Sequence, residues 1–186
     1  MDVKQLFDRS LASATRVVHQ VKPSQFEDST PDTEWNVRDL LAHMLYELSW
    51  VADILSGKTI AEVGDRYDGD LIGDDLRSSW DKAEAEARQA VNKVDLDRII
   101  HLSYGDFPAK HYLQQESNDQ LIHSWDLGTA IGMAVRFDPE AAKHLYQETL
   151  PNKDQLAATG LFAPAIEVSD SEDIQTKLLA LFGRKA

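Results

Sequence analysis

The stretch Glu116-Ser117-Asn118-Asp119-Gln120-Leu121-Ile122-His123-Ser124-Trp125-Asp126-Leu127-Gly128 decides how the chain is read. It lies in the middle of a long helical pattern that should start near Pro108 and reach about Met133. Apolar residues fall on most of its faces, which predicts a central helix packed on several sides. Asp119 and His123 are four residues apart, so on an α-helix their side chains stand one turn above the other on one face. A carboxylate inside such a helix must find a partner, and a metal ion is one way to supply it. A plain Asp119–His123 hydrogen bond would satisfy the same pattern without a metal.

A second candidate ligand comes from upstream. Asn36 is a good N-cap, with Asp39 placed three residues later at the positive end of the helix and Trp35 placed to staple onto Leu40. The helix this opens should run to about Ser56 and stop at Gly57, with Val37, Leu40, Leu41, Met44, Leu48, Val51, Ala52 and Leu55 as its core stripe. His43 borders that stripe, with Glu47 one turn on and Trp50 two turns on. It reads either as the third ligand of a two-helix site or as a half-buried histidine bonded to Glu47.

The rest of the chain frames these two helices. An apolar stripe from Val3 to Val21 predicts a first helix, and Pro23 and the run Ser29-Thr30-Pro31-Asp32-Thr33 predict a loop. Residues 57–73, with four glycines and several aspartates, read as an acidic connection. Another helix is expected from Asp74 or Asp75 to about Val94, with a solvated charged face. Residues 98–106 read as a short extended segment and turn, Asp138-Pro139 opens a short helix that ends before Pro151, and residues 160–168 look extended. Ser169 or Ser171 should cap a last helix that stops at Gly183. His144, on the short helix, reads as a surface residue, and His19, His101 and His111 show no acid or histidine partner at a spacing that marks a ligand.

Composition narrows the function. The chain has 186 residues, enough for one domain with a substantial core, so a single domain over 1–186 is expected. Its net charge of −13 disfavours nucleic acid and anionic membrane surfaces as partners. No cysteine is present, which leaves histidine and carboxylate as the strong metal ligands and removes a thiol nucleophile of the chain's own. The N-terminus has no signal pattern and no apolar run approaches a membrane span, so a cytoplasmic location is expected. Monomer and homodimer are both compatible with such a surface.

Three segments together carry a resemblance. They are Thr33-Glu34-Trp35-Asn36-Val37-Arg38-Asp39-Leu40-Leu41-Ala42-His43-Met44, then Ile122-His123-Ser124-Trp125-Asp126-Leu127-Gly128, and the closing Leu181-Phe182-Gly183-Arg184. In that order the chain resembles the metal-binding proteins related to the N-terminal domain of mycothiol-dependent maleylpyruvate isomerase, within the wider DinB-like group. The resemblance implies an all-α fold, a DinB-like four-helix bundle with additional short helices and a minor extended segment. It also implies a divalent metal, commonly zinc with nickel or iron as alternatives, held at the positions of His43, Asp119 and His123. Asp119 stands where the isomerase has glutamate, and 186 residues leave no room for the isomerase's C-terminal domain, so the stand-alone members are the better comparison.

Two imidazoles and a carboxylate leave coordination positions open, as in catalytic rather than structural sites. Glu47 and Asp126 are candidates for orienting the histidines. The resemblance implies a metal-dependent thiol transferase or isomerase that uses a low-molecular-weight thiol such as mycothiol as cosubstrate. The alternatives are a module that binds or senses a metal or small ligand without chemistry, and a metal-free bundle that acts through oligomerisation.

Overall fold

The computed structural model describes residues 1–32, 34–153 and 163–186. Four long helices form the bundle: α1 (Val3–Val18), α2 (Val37–Leu55), α4 (Leu76–Lys93) and α5 (Ala109–Ala130). A single turn, α3 (Ile60–Val63), interrupts the connection that the sequence read as loop. Two short strands, β1 (Ile99–Leu102) and β2 (Gly105–Pro108), pair antiparallel with Ile100 opposite Phe107 and lead directly into α5. Then come α6 (Pro139–Thr149) and α7 (Ile174–Leu181). The all-α bundle with a minor extended segment is therefore the fold. Of the expected extended segment 160–168, residues 160–162 lie outside the described residues, as does Thr33 of the first loop, and 163–168 are exposed and form no strand.

Each helix end has a local cause. Asn36 and Asp39 form a reciprocal box: the Asp39 backbone N–H donates to Asn36 Oδ1 at 2.9 Å and the Asn36 N–H donates to Asp39 Oδ2 at 3.2 Å. This fixes where α2 begins, and hence the turn on which His43 lies. α7 is capped by Asp173, whose side chain accepts from the Thr176 N–H, and not by Ser169 or Ser171. Those two serine hydroxyls are engaged with each other instead. At the other end of α7, the Gly183 N–H donates to the Ala180 carbonyl and the Arg184 N–H to the Leu179 carbonyl. Gly183 has φ +74°, a left-handed residue closing a Schellman motif, and the chain turns back there.

The core is continuous through the bundle. Leu6, Phe7, Leu11 and Val17 of α1, Leu40, Leu41, Met44 and Leu48 of α2, Trp80 and Ala87 of α4, and Leu113, Leu121 and Ile122 of α5 are all buried. α1 and α5 approach closely because both present small residues: Ser13 Oγ and Ser124 Oγ are 3.2 Å apart in the interior. Trp80 of α4 donates its indole N–H to Thr15 Oγ1 of α1 at 2.9 Å, which satisfies the one polar atom of a fully buried ring. The connection after α2 is pinned by Asp53, which accepts from Tyr67 Oη at 2.9 Å and pairs with Lys58 and Arg66.

Gly128, in the last turn of α5, lets the chain fold back on itself. A Cβ built there would lie 2.1 Å from Val135 Cγ2 and 3.1 Å from the Met133 carbonyl oxygen. Valine is stiff and the carbonyl belongs to the backbone, so neither yields cheaply. Gly128→Ala is expected to destabilise the protein by about 1–2 kcal/mol, overpacking outweighing the helix-propensity gain of alanine, as measured by the urea midpoint at constant m value.

Candidate metal centre

α2 and α5 run side by side and bring His43 and the Asp119/His123 pair to one place. Asp119 Oδ1 is 3.4 Å from His43 Nε2 and 3.3 Å from His123 Nε2. One donor atom from each of the three residues lies within 4.8 Å of the others. These separations are long for a charge-assisted hydrogen bond, where roughly 2.7–2.9 Å is usual. They suit atoms that share an ion: tetrahedral zinc with bonds of about 2.0–2.2 Å spaces its ligand atoms by about 3.4 Å. His123 is buried, while His43 and Asp119 keep partial exposure, so the approach from solvent is on their side.

The buried side of the site is tightly held. His123 Nδ1 is 3.1 Å from Asp126 Oδ2. Asp126 is fully buried and accepts from Arg184 Nη2 at 2.8 Å and Arg184 Nε at 3.1 Å. A carboxylate gripped by a guanidinium is acceptor only, so Nδ1 of His123 must be the donor. In the neutral ring this directs the Nε2 lone pair at Asp119 and the space beside it. Arg184 is in turn held by Asp32 at 3.2 Å and by the Phe182 carbonyl at 3.0 Å. The Schellman turn at Gly183 is what carries Arg184 into this position.

The charges act on one another strongly. Burial opposes ionisation of the His123 ring, but Asp119 and Asp126 override it and the imidazolium is pushed up to about 10. Burial likewise acts against the Asp119 carboxylate, and the two histidines outweigh it, holding Asp119 well below the usual carboxylate range. Burial also works against Asp126, and His123 with Arg184 brings it below its ordinary value. Glu47 goes the other way: burial, then repulsion from Asp119, raises it.

His43, Asp119 and His123 come together, and Asp126 lies within hydrogen-bond distance of His123 Nδ1. Among the described residues Glu47 hydrogen-bonds to neither histidine, although it lies within their field. The indole of Trp35 lies against the site, 4.7 Å from the His43 ring and 5.9 Å from the His123 ring, centroid to centroid. Sequence reasoning gave Trp35 only a stapling role and gave Arg184 none. The sole signal for either was its place in the quoted motifs, which spacing along one helix cannot interpret. His19 and His101 acquire acidic partners that the sequence did not reveal, Asp81 at 2.6 Å and Asp106 at 2.8 Å, both at the surface. A surface cavity of about 410 Å³, lined among others by Ser49, Arg66, Tyr67 and Lys82, includes none of the three clustered residues.

Comparison with known proteins agrees with this geometry at the level of fold and family. Uncharacterized protein Rv0738 of Mycobacterium tuberculosis strain H37Rv is 25% identical over 143 residues, covering 76% of this chain and 74% of its own length. Its counterpart in strain CDC 1551 matches equally. The crystal structure of the mycothiol-dependent maleylpyruvate isomerase superposes with a TM-score of 0.55 at 17% identity, over 68% of this chain and 59% of that one. A histidine-to-alanine mutant of such an isomerase superposes with a TM-score of 0.58 at 15% identity, over 77% of this chain and 66% of that one. The matched region thus spans less than two thirds of either isomerase chain. The pattern of the mycothiol maleylpyruvate isomerase N-terminal domain matches residues 7–128, which include α2, most of α5 and all three clustered residues, and the chain belongs to that family.

Proposed function

We propose that this protein binds one divalent metal ion, zinc in the first instance, through His43, Asp119 and His123, and uses it with a low-molecular-weight thiol such as mycothiol in a transferase or isomerase reaction. What carries the reading is the spacing of the three donor atoms around a shared centre, with the acceptor lone pair of His123 fixed by Asp126 and Arg184. The donor set of two imidazoles and one carboxylate is that of zinc sites that keep a position open. A divalent metal supplies Lewis acidity there and favours the thiolate form of a thiol. The chain has no cysteine, so the thiol comes from solution. Kinship with mycothiol-dependent maleylpyruvate isomerase makes mycothiol the first thiol to try.

The chain's own residues have distinct tasks in this reading. His123 is the fixed ligand: its ring is buried and clamped at Nδ1. His43 and Asp119, on the open side, border the entry for a small molecule. Trp35 covers both rings and keeps bulk water from one side of the site. Asp119, one methylene shorter than glutamate, turns one oxygen, Oδ1, toward both imidazoles. Its Oδ2 is buried and makes no hydrogen bond among the described residues.

Metal analysis by plasma mass spectrometry on untagged protein should give about one equivalent, lost in both His43→Ala and His123→Ala. Metal content indifferent to both changes would remove the reading. In the cobalt-substituted protein, addition of mycothiol should shift the visible spectrum toward that of a thiolate ligand, and an unchanged spectrum would leave binding without thiol chemistry.

Arg184→Ala should weaken zinc affinity by about 10–100-fold in a chelator competition, because Asp126 then loses the group that holds it against His123. Arg184→Lys should recover only part of this, since an ammonium cannot grip both carboxylate oxygens as the guanidinium does. Equal affinity in all three proteins would show that the clamp serves folding alone.

A further inference from the structure

Next to the three clustered residues, the apposed faces of α2 and α5 carry polar groups that the proposed function does not use. On α5, Tyr112, Glu116, Asp119 and His123 follow one another at intervals of four, three and four residues, one continuous face. On α2, His43, Glu47 and Trp50 do the same. Gln120 donates to the Met44 carbonyl at 3.4 Å, which locks the two faces together. With His43 opposite Asp119, Glu47 falls toward Glu116, and the Glu116 carboxyl lies in the field of Glu47.

This seam holds several buried polar atoms without partners. Glu116 is 4% exposed and its Oε2 has no hydrogen-bond partner, and the same holds for Tyr112 Oη, Trp50 Nε1, Gln120 Oε1 and Asp119 Oδ2. Among the described residues no lysine or arginine pairs with Glu47 or Glu116. Burial pushes the Glu116 carboxyl well above its ordinary value, and Glu47 and Asp119 push it further. Buried carboxyls are normally paired, and orphaned buried polar atoms are rare enough to call for an explanation. Apolar residues of similar shape would cost less if nothing ever bound there.

We propose that this seam seats a positively charged hydrogen-bond donor, a primary ammonium group, of the small molecule on which the protein acts. Unfilled acceptors predominate, namely Glu116 Oε2, Asp119 Oδ2 and Gln120 Oε1, and an ammonium offers three donors and the missing positive charge. Tyr112 sets the far end of the seam, with an aromatic face for the adjoining methylenes. Glu116 precedes Asp119 by three residues, about 4.5 Å along the helix, so the ammonium would sit on the order of 5 Å from the reacting end of the ligand. The inference rests on the proposed function for which end of the ligand reacts, and on the seam itself for which end is held.

The two can fail separately. We would titrate the full chain, both chelator-treated and zinc-loaded, with n-butylammonium and with 1-butanol, following the indole N–H of Trp50 by NMR. The wild type should bind the ammonium at least about tenfold more tightly than the alcohol in both states. Glu116→Gln and Glu47→Gln should each bring the two ligands within about twofold of each other, while Tyr112→Phe, a control for packing, keeps most of the preference. Equal binding of the two probes by the wild type would overturn the proposal and leave the metal reading intact. So would a preference that survives both glutamine variants, or a second zinc equivalent that disappears in Glu116→Gln, which would make the acids ligands of another ion. Zinc content indifferent to His43 would defeat the metal reading alone, because the ammonium preference is measured in the metal-free chain as well.

Discussion

One carboxylate oxygen shared by two imidazoles from different helices is the constraint around which this bundle is arranged. Asp119 Oδ1 faces both His43 and His123. That requires α2 and α5 to hold both a particular rotation and a particular axial register. The rotation comes from core residues on either side, such as Leu40, Leu41 and Met44 of α2 and Leu121 and Ile122 of α5, which are fully buried. The register is set where α2 starts, by the Asn36–Asp39 box, and where α5 starts, by the short hairpin that feeds directly into Ala109. A shift of one residue at either start would carry the histidine about 100° around its helix and away from the site.

Behind that oxygen lies a chain of charges that reaches the end of the sequence. His123, Asp126, Arg184 and Asp32 alternate in sign, and each is held by the next. Such a row is costly to bury unless complete, since an uncompensated charge in the interior is far more damaging than a missing pair. It therefore couples the C-terminal turn to the imidazole 61 positions earlier in the sequence, between His123 and Arg184. α7 is thus more than a lid on α6. Its Schellman turn at Gly183 delivers the arginine that holds Asp126 against His123.

Local physics made part of this legible in the sequence. The cap of α2, the proline-led start of α6, the glycine stop of α7 and the Asp119/His123 spacing all depend on residues within one or two turns. The hairpin was visible only as a short extended segment and turn, because its pairing of Ile100 with Phe107 is a contact between segments. The cap of α7 was misplaced because serines and aspartates crowd residues 169–173, and any of them satisfies the local rule. Which one caps is decided by where α7 docks on α6. Trp35 and Arg184 escaped for the same reason at longer range: the ring meets His43 eight residues on and His123 on another helix, and the guanidinium crosses 58 positions to Asp126.

α5 shows where pattern reading reaches its limit. An amphipathic helix announces its buried face by segregating apolar from polar residues, yet α5 buries Glu116, Ser117, Gln120, His123, Ser124 and Asp126 together with Leu113, Leu121 and Ile122. Its polarity is spent inside the protein. Ser124 does so where α1 approaches, beside Ser13, Ser117 donates to the Leu113 carbonyl, and Asp126 and His123 hold each other. Glu116 has no such internal use, and packing alone would favour an uncharged residue there. A helix that keeps an unpaired acid one turn from a cluster of two histidines and an aspartate is shaped by something outside the chain. The same burial that makes this face illegible to periodicity therefore marks it as the place where a ligand completes the structure.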